Sequence, residues 1–114
     1  MFTQTHGTWG ERLQTFSWDG GIVTLLWLVP NQRCSYHSHK QTWNRFICVS
    51  GCLGIKTDKG HLTKITPKQM FEVEPQITHE FQTYDEPTIV QEIAYVSYNS
   101  EDIERKTLGG PLNE

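Results

Sequence analysis

Short β-prone runs separated by turn residues, with no helical periodicity before residue 100, constrain this chain more than any other feature. From Leu13 onward, segments rich in Val, Ile, Thr and aromatic residues recur about every eight to twelve residues, each closed by Gly, Pro, Asn or Asp. The pattern predicts strands over 13-18, 21-29, 33-38, 44-50, 52-57, 62-66, 69-74, 77-83 and 88-97. Asp19-Gly20-Gly21 and Asp58-Lys59-Gly60 contain residues that tolerate the positive φ of tight hairpin turns. Pro30-Asn31, Pro67-Lys68 and Glu86-Pro87 break strand pairing where loops are expected. Many short strands at this spacing close as a sandwich or barrel, for which a double-sheet jelly roll is the natural form. Thr88 to Val96 shows apolar residues on both of its alternating faces, so it needs cover on two sides. A barrel interior supplies one and a second copy of the chain would supply the other, which makes a homodimer the expected assembly.

The 114 residues suffice for one domain. The expected division is an N-terminal lead-in at 1-12, with Trp9 its large apolar anchor, a barrel at 13-99 and a C-terminal tail at 100-114. Within the tail, Ser100-Glu101-Asp102-Ile103-Glu104-Arg105-Lys106 places acids before bases, as one helical turn prefers, and Gly109-Gly110-Pro111 ends it. Ten Lys and Arg face thirteen acids, which argues against a nucleic-acid partner. The longest apolar run, Leu25 to Val29, is far below the roughly twenty residues of a membrane helix, so no membrane partner is expected. Met1 to Gly10 is polar and lacks a signal-peptide core, and the expected location is cytoplasmic. Cys34, Cys48 and Cys52 are odd in number and read as small strand residues better than as part of a zinc site.

The candidate chemistry centres on His37 and His39. Residues two apart on a strand share a face, so this pair can offer two imidazoles to one ion, and His79, which follows the Pro75 turn, is the third candidate. The order His37-x-His39-x4-Asn44-x6-Gly51, followed by Pro75-x3-His79, resembles the two signature motifs of the cupin superfamily, over nearly the whole chain from about Trp9 to Arg105. The resemblance implies an all-β, double-stranded β-helix jelly-roll barrel with a divalent transition metal (zinc, iron, nickel or manganese) in its mouth, held by His37, His39 and His79. Cupins usually place Glu where this chain has Asn44. A neutral amide oxygen is a weaker donor than a carboxylate, so Asn44 is read as a weak fourth ligand or as a residue just behind the ligands, and a barrel that has lost its metal is the competing reading.

A softer resemblance, carried by Trp9-Gly10, Val49-Ser50-Gly51, Glu92-Ile93, Tyr98 and Glu101 to Arg105, is to the cupin domain of type II mannose-6-phosphate isomerases and mannose-1-phosphate guanylyltransferases. It implies a small-molecule ligand of the sugar-phosphate kind and isomerase-like chemistry. Glu92, among apolar neighbours, is a candidate general base or stray ligand if it faces the barrel mouth, against the plainer reading of an outward-facing strand residue. Arg45 and Lys40 are candidates to receive a phosphate or carboxylate, against the plainer reading of solvated charges. Trp43 and Phe46 fit either a pocket wall or the core, Trp18 and Trp27 fit core or dimer contacts, and Tyr36 fits packing. His6 and His61 are expected at the surface. Three functional readings follow: a sugar-phosphate isomerase-like enzyme, a three-histidine iron dioxygenase, and a non-catalytic ligand-binding or sensing module.

Overall fold

The computed structural model describes residues 4–7, 9–57, 60–106 and 109–111, with side chains from Trp9 onward. Regular structure among these residues is β throughout. The strands are β1 Gln4–Gly7, β2 Gly10–Trp18, β3 Gly21–Leu28, β4 Gln32–Arg33, β5 His37–Ser38, β6 Trp43–Ser50, β7 Leu53–Thr57, β8 Leu62–Ile65, β9 Met70–Val73, β10 His79–Thr83, β11 Thr88–Tyr95, β12 Glu104–Arg105 and β13 Gly110–Pro111. They form two antiparallel sheets. One runs β1-β2-β3-β11-β6-β9; the other runs β12-β5-β10-β4-β13, with β7 also pairing β10 and β8 pairing β7.

Alternation along the strands builds the core between the sheets. In β3, Ile22, Thr24, Leu26 and Leu28 are buried while Trp27 faces out; in β6, Asn44, Phe46 and Cys48 are buried while Val49 is exposed. Leu26, Leu28, Phe46, Cys48, Val73 and Val90 from the first sheet meet Leu53, Ile55, Ile65 and Phe81 from the second in one apolar cluster. Phe46 has no exposed surface and packs edge-on against Phe81 with ring centroids 4.5 Å apart. Gly51, with φ 83°, turns β6 into β7. A Cβ there would lie 2.5 Å from the Pro87 carbonyl oxygen, so the close crossing of this turn over the start of β11 requires glycine.

The structure departs from the sequence expectations in particular places. The strand expected over 33-38 is two short strands: Cys34 still donates its N–H to the Phe81 carbonyl at 2.9 Å, but the Ser35 carbonyl is engaged by the His37 ring at 2.9 Å and interrupts the run. The first two strands begin inside the expected lead-in. The helical turn expected at 100-106 does not form: Ser100 and Glu101 make a turn and Glu104–Arg105 joins the second sheet as β12. Pairing with β5, together with the Asp102 carboxylate binding a neighbouring loop, satisfies more polar groups than one isolated helical turn could. Trp18 and Trp27 are 45 % and 37 % exposed, on the outer face of the first sheet and outside the core. Asp58 and Lys59 of the expected second hairpin turn lie outside the described residues, as does the side chain of His6; His61 is exposed.

Candidate metal centre

The three histidines meet at one point, with a ligand atom from each lying within 4.8 Å of the other two. Strand pairing explains the convergence. His37 on β5 is directly opposite His79, the first residue of β10, which puts the two rings on one face with centroids 4.5 Å apart. His39 lies just past the end of β5, where its carbonyl accepts the Gln76 N–H at 2.6 Å and so ties the histidine pair to the Pro75-Gln76 turn before His79. Its ring is 5.1 Å from His37 and 5.5 Å from His79 by centroid.

Each ring is oriented by its Nδ1 atom. In the tautomer that fits these partners, His37 Nδ1 donates to the Ser35 carbonyl at 2.9 Å, His39 Nδ1 to the Asp102 carbonyl at 2.5 Å and His79 Nδ1 to the Ile77 carbonyl at 3.1 Å. Every Nε2 is then a bare lone pair. The Nε2 atoms of His39 and His79 are buried without a hydrogen-bond partner among the described residues, and so is Asn44 Oδ1. All three atoms are acceptors, and none faces a protein donor. A divalent cation answers such a set directly, and the donor atoms suit zinc, iron, nickel or manganese. Burial first, and then the neighbouring imidazoles, push the His37 pKa down to about 3, while burial lowers that of His79 to about 4 against the opposing Ile77 bond. Both rings are therefore neutral and ready to ligate at ordinary pH.

Asn44 and Glu92 approach from the first sheet. Asn44 is 1 % exposed, and its Nδ2 donates to Glu92 Oε2 at 2.9 Å, a bond that leaves the amide oxygen as the unpartnered atom. Burial pushes the Glu92 carboxyl above the ordinary carboxylate range, opposed by Arg12, His39 and the Asn44 bond. Both residues line a cavity of about 400 Å³ together with His37 and His39. Ile22, Leu26, Leu28, Trp9 and Phe81 give this cavity an apolar wall; Tyr98 to Ser100, Asp102, Ile103 and Arg105 bring the C-terminal segment over it. Cys34 also lines it, but burial, with Glu92 and Glu80 nearby, raises its pKa to about 12, so the thiol stays protonated and is a poor ligand or nucleophile.

Asp102 braces the site from the tail. Its carboxylate accepts the N–H groups of Lys40, Gln41 and Thr42 at 2.7, 2.9 and 3.2 Å and the Thr42 hydroxyl at 3.0 Å, while its carbonyl holds His39. These bonds keep the Asp102 carboxyl below its usual range although desolvation works the other way. Read from sequence as a helix-starting acid, Asp102 gave no local sign of this role, because its partners lie about sixty residues earlier in the chain.

Arg45 and Lys40 do not line the cavity. Arg45 pairs with Glu72 at 3.0 Å on the outer surface, where the Tyr95 hydroxyl also donates to Glu72. Trp43 lies beside Tyr95 with the rings tilted and their centroids 6.5 Å apart, while Phe46 belongs to the core. The cationic side chains that do line the cavity are Arg12 and Arg105; β2 begins earlier than expected and Glu104–Arg105 is a strand and not part of a helical turn, so the direction of neither side chain follows from local sequence.

No protein-family model matches the sequence, and no curated protein matches it either. Solved structures do. An uncharacterised conserved protein with a double-stranded β-helix domain from Klebsiella pneumoniae superposes with a TM-score of 0.72 at 16 % identity, covering 82 % of this chain and 81 % of that one. Oxalate decarboxylase from Bacillus subtilis superposes with a TM-score of 0.80 at 10 % identity over 91 % of this chain, which spans only 30 % of the decarboxylase. The Cupin_2 domain of an XRE family transcriptional regulator from Enterobacter cloacae gives 0.68 at 18 % identity, covering 77 % of this chain and 95 % of that domain. At such identities the likeness speaks to architecture alone. With two facing antiparallel sheets and these neighbours, the chain has the double-stranded β-helix jelly-roll fold of cupin domains.

Proposed function

We propose that the protein binds one divalent transition metal through the Nε2 atoms of His37, His39 and His79, and acts on a small polar ligand in the adjoining cavity with Glu92 as the group that exchanges a proton. The observation that carries this reading is the three-histidine cluster, in which His39 Nε2 and His79 Nε2 are buried without a hydrogen-bond partner among the described residues. A bound cation supplies Lewis-acid polarisation of a ligand oxygen. Glu92 supplies the rest: one carboxyl oxygen is steadied by Asn44, and the raised pKa suits a group that both takes and returns a proton. That combination fits aldose-ketose isomerisation, and sugar phosphates are the first substrates to assay. A second reading, a three-histidine iron dioxygenase, draws support from the absence of any carboxylate among the clustered ligands of the described residues.

Metal analysis of the purified protein, with oxygen consumption and solvent-deuterium incorporation into sugar phosphates, tests these readings. Stoichiometric metal with deuterium incorporation that Glu92→Gln abolishes supports the first, and iron with oxygen uptake supports the second. Metal without turnover leaves a ligand-sensing module, and a protein that takes up no metal refutes both enzymatic readings. We further propose that a second copy of the chain covers the outer face of β2, β3 and β11. Phe16 is 64 % exposed there and joins Trp18 and Trp27, an apolar area unusual for a free surface. Light scattering should give a dimer mass that Trp27→Lys halves; a monomeric wild type would refute it.

A further inference from the structure

Two arginines from opposite sheets line the same cavity as the histidine cluster. Arg12 lies on β2, alternating with Gly10 and Gln14 on the inward face, and is opposite Leu26 of β3. Arg105 lies on β12, directly opposite His37 of β5, so that Arg105, His37 and His79 form one row across three neighbouring strands of the second sheet. Antiparallel partners in register share a face, which places the Arg105 side chain beside the imidazoles. Arg12 bears electrostatically on Glu92 and Arg105 on His37, so the two guanidiniums flank the centre on different sides. No carboxylate lies within ion-pair distance of either among the described residues.

The acids near them are engaged elsewhere. Asp102 is saturated by three N–H groups and a hydroxyl, and one oxygen of Glu92 is taken by Asn44. Glu92 and Asp102 balance the two guanidiniums in formal charge, but neither carboxylate is paired with them among the described residues, and a bound divalent cation would add positive charge to this cavity. Ile22, Leu26, Leu28 and Phe81 along the same wall offer contact to carbon and few hydrogen bonds.

Building on the metal-centre reading above, we propose that Arg12 and Arg105 form an oxyanion clamp, and that the ligand is a small organic anion whose carboxylate or phosphate sits between them while its neutral oxygen faces the three histidines and its carbon frame lies against Leu26, Leu28 and Phe81. A guanidinium pairs with either oxyanion through two parallel N–H bonds, and a pair converging from two sheets sets both the position and the direction of the ligand. A cavity of about 400 Å³ has ample room for a molecule of this kind.

The test is calorimetric titration of the zinc-loaded protein with benzoate, succinate and inorganic phosphate in turn, repeated on Arg12→Gln, Arg105→Gln and the double variant, with zinc content measured in each. Binding of a carboxylate probe or of phosphate, weakened about tenfold by each single change and more by both with zinc content unaltered, supports the clamp. Which probe binds then names the oxyanion. Binding that survives the double variant, or no binding of any probe to wild type, overturns it. Arg12→Lys and Arg105→Lys keep the charge and stand in should a Gln variant fold poorly. His39→Ala separates this proposal from the metal reading: residual arginine-dependent anion binding without zinc upholds the clamp, whereas anion binding lost in His39→Ala but kept in the arginine double variant places the anion on the metal alone and refutes it.

Discussion

His39 makes no strand contact of its own, yet it joins three parts of the molecule: its ring meets His37 and His79, its carbonyl holds the Gln76 N–H and its Nδ1 reaches Asp102. Replacing it with Ala should abolish metal retention on dialysis while circular dichroism still reports the barrel, because the side chain lies at the mouth and outside the apolar cluster. Loss of the β signal instead would make the residue structural. The depressed pKa values of His37 and His79, about 3 and about 4 against 6.5 for the free side chain, also fix a direction with pH. In that interval the unfolded chain binds more protons than the folded one, so the contribution of these rings is fully present above 6.5 and is lost as pH falls through the window. Thermal melts of chelator-treated protein should show Tm falling from neutral pH toward about pH 4; a His37→Gln/His79→Gln variant should lose part of that slope.

At the level of elements, the second sheet carries the imidazoles and the first carries Asn44 and Glu92, while the segment around Asp102 locks the loop after His39. Asp102→Ala removes four bonds to a charged acceptor. It should cost about 2 kcal/mol by denaturant unfolding and weaken metal binding about tenfold through the loosened His39 ring. Unchanged metal affinity would show that the latch and the site are independent. Gly51→Ala tests the turn between β6 and β7 instead: a left-handed backbone and a Cβ against the Pro87 carbonyl should cost about 2 kcal/mol or more, with no effect on metal stoichiometry in the folded fraction. The tail also shows why a helical turn misled. Acids before bases is a local preference worth a few tenths of a kcal/mol, and strand pairing with β5 outweighs it.

For the whole molecule, metal binding and folding are one equilibrium if the site exists only in the closed barrel. Metal at about a hundred times its Kd should then stabilise the protein by about 2.7 kcal/mol, seen as a higher Tm than in chelator and absent in His39→Ala. Equal Tm values with and without metal would place the ion, if any, outside the fold. The two sheets close around a core to which both contribute, and the cavity runs beside that core to the mouth, so stability and chemistry share Leu26, Leu28 and Phe81.

Strand alternation, turn residues and the order of the histidines are local or periodic properties, and the sequence by itself therefore determined the all-β class, most strand positions and the three imidazoles worth bringing together. What pairs with what across long stretches of chain is a tertiary matter. Only the closed barrel decided that Arg105 stands beside His37, that Arg12 and not Arg45 or Lys40 faces the cavity, that Asp102 holds a loop some sixty residues earlier and that Asn44 gives its N–H to Glu92. The physical reason is that each of these depends on strand register between distant segments, and register is set by the burial of a whole sheet face and not by the residues whose side chains it brings into contact.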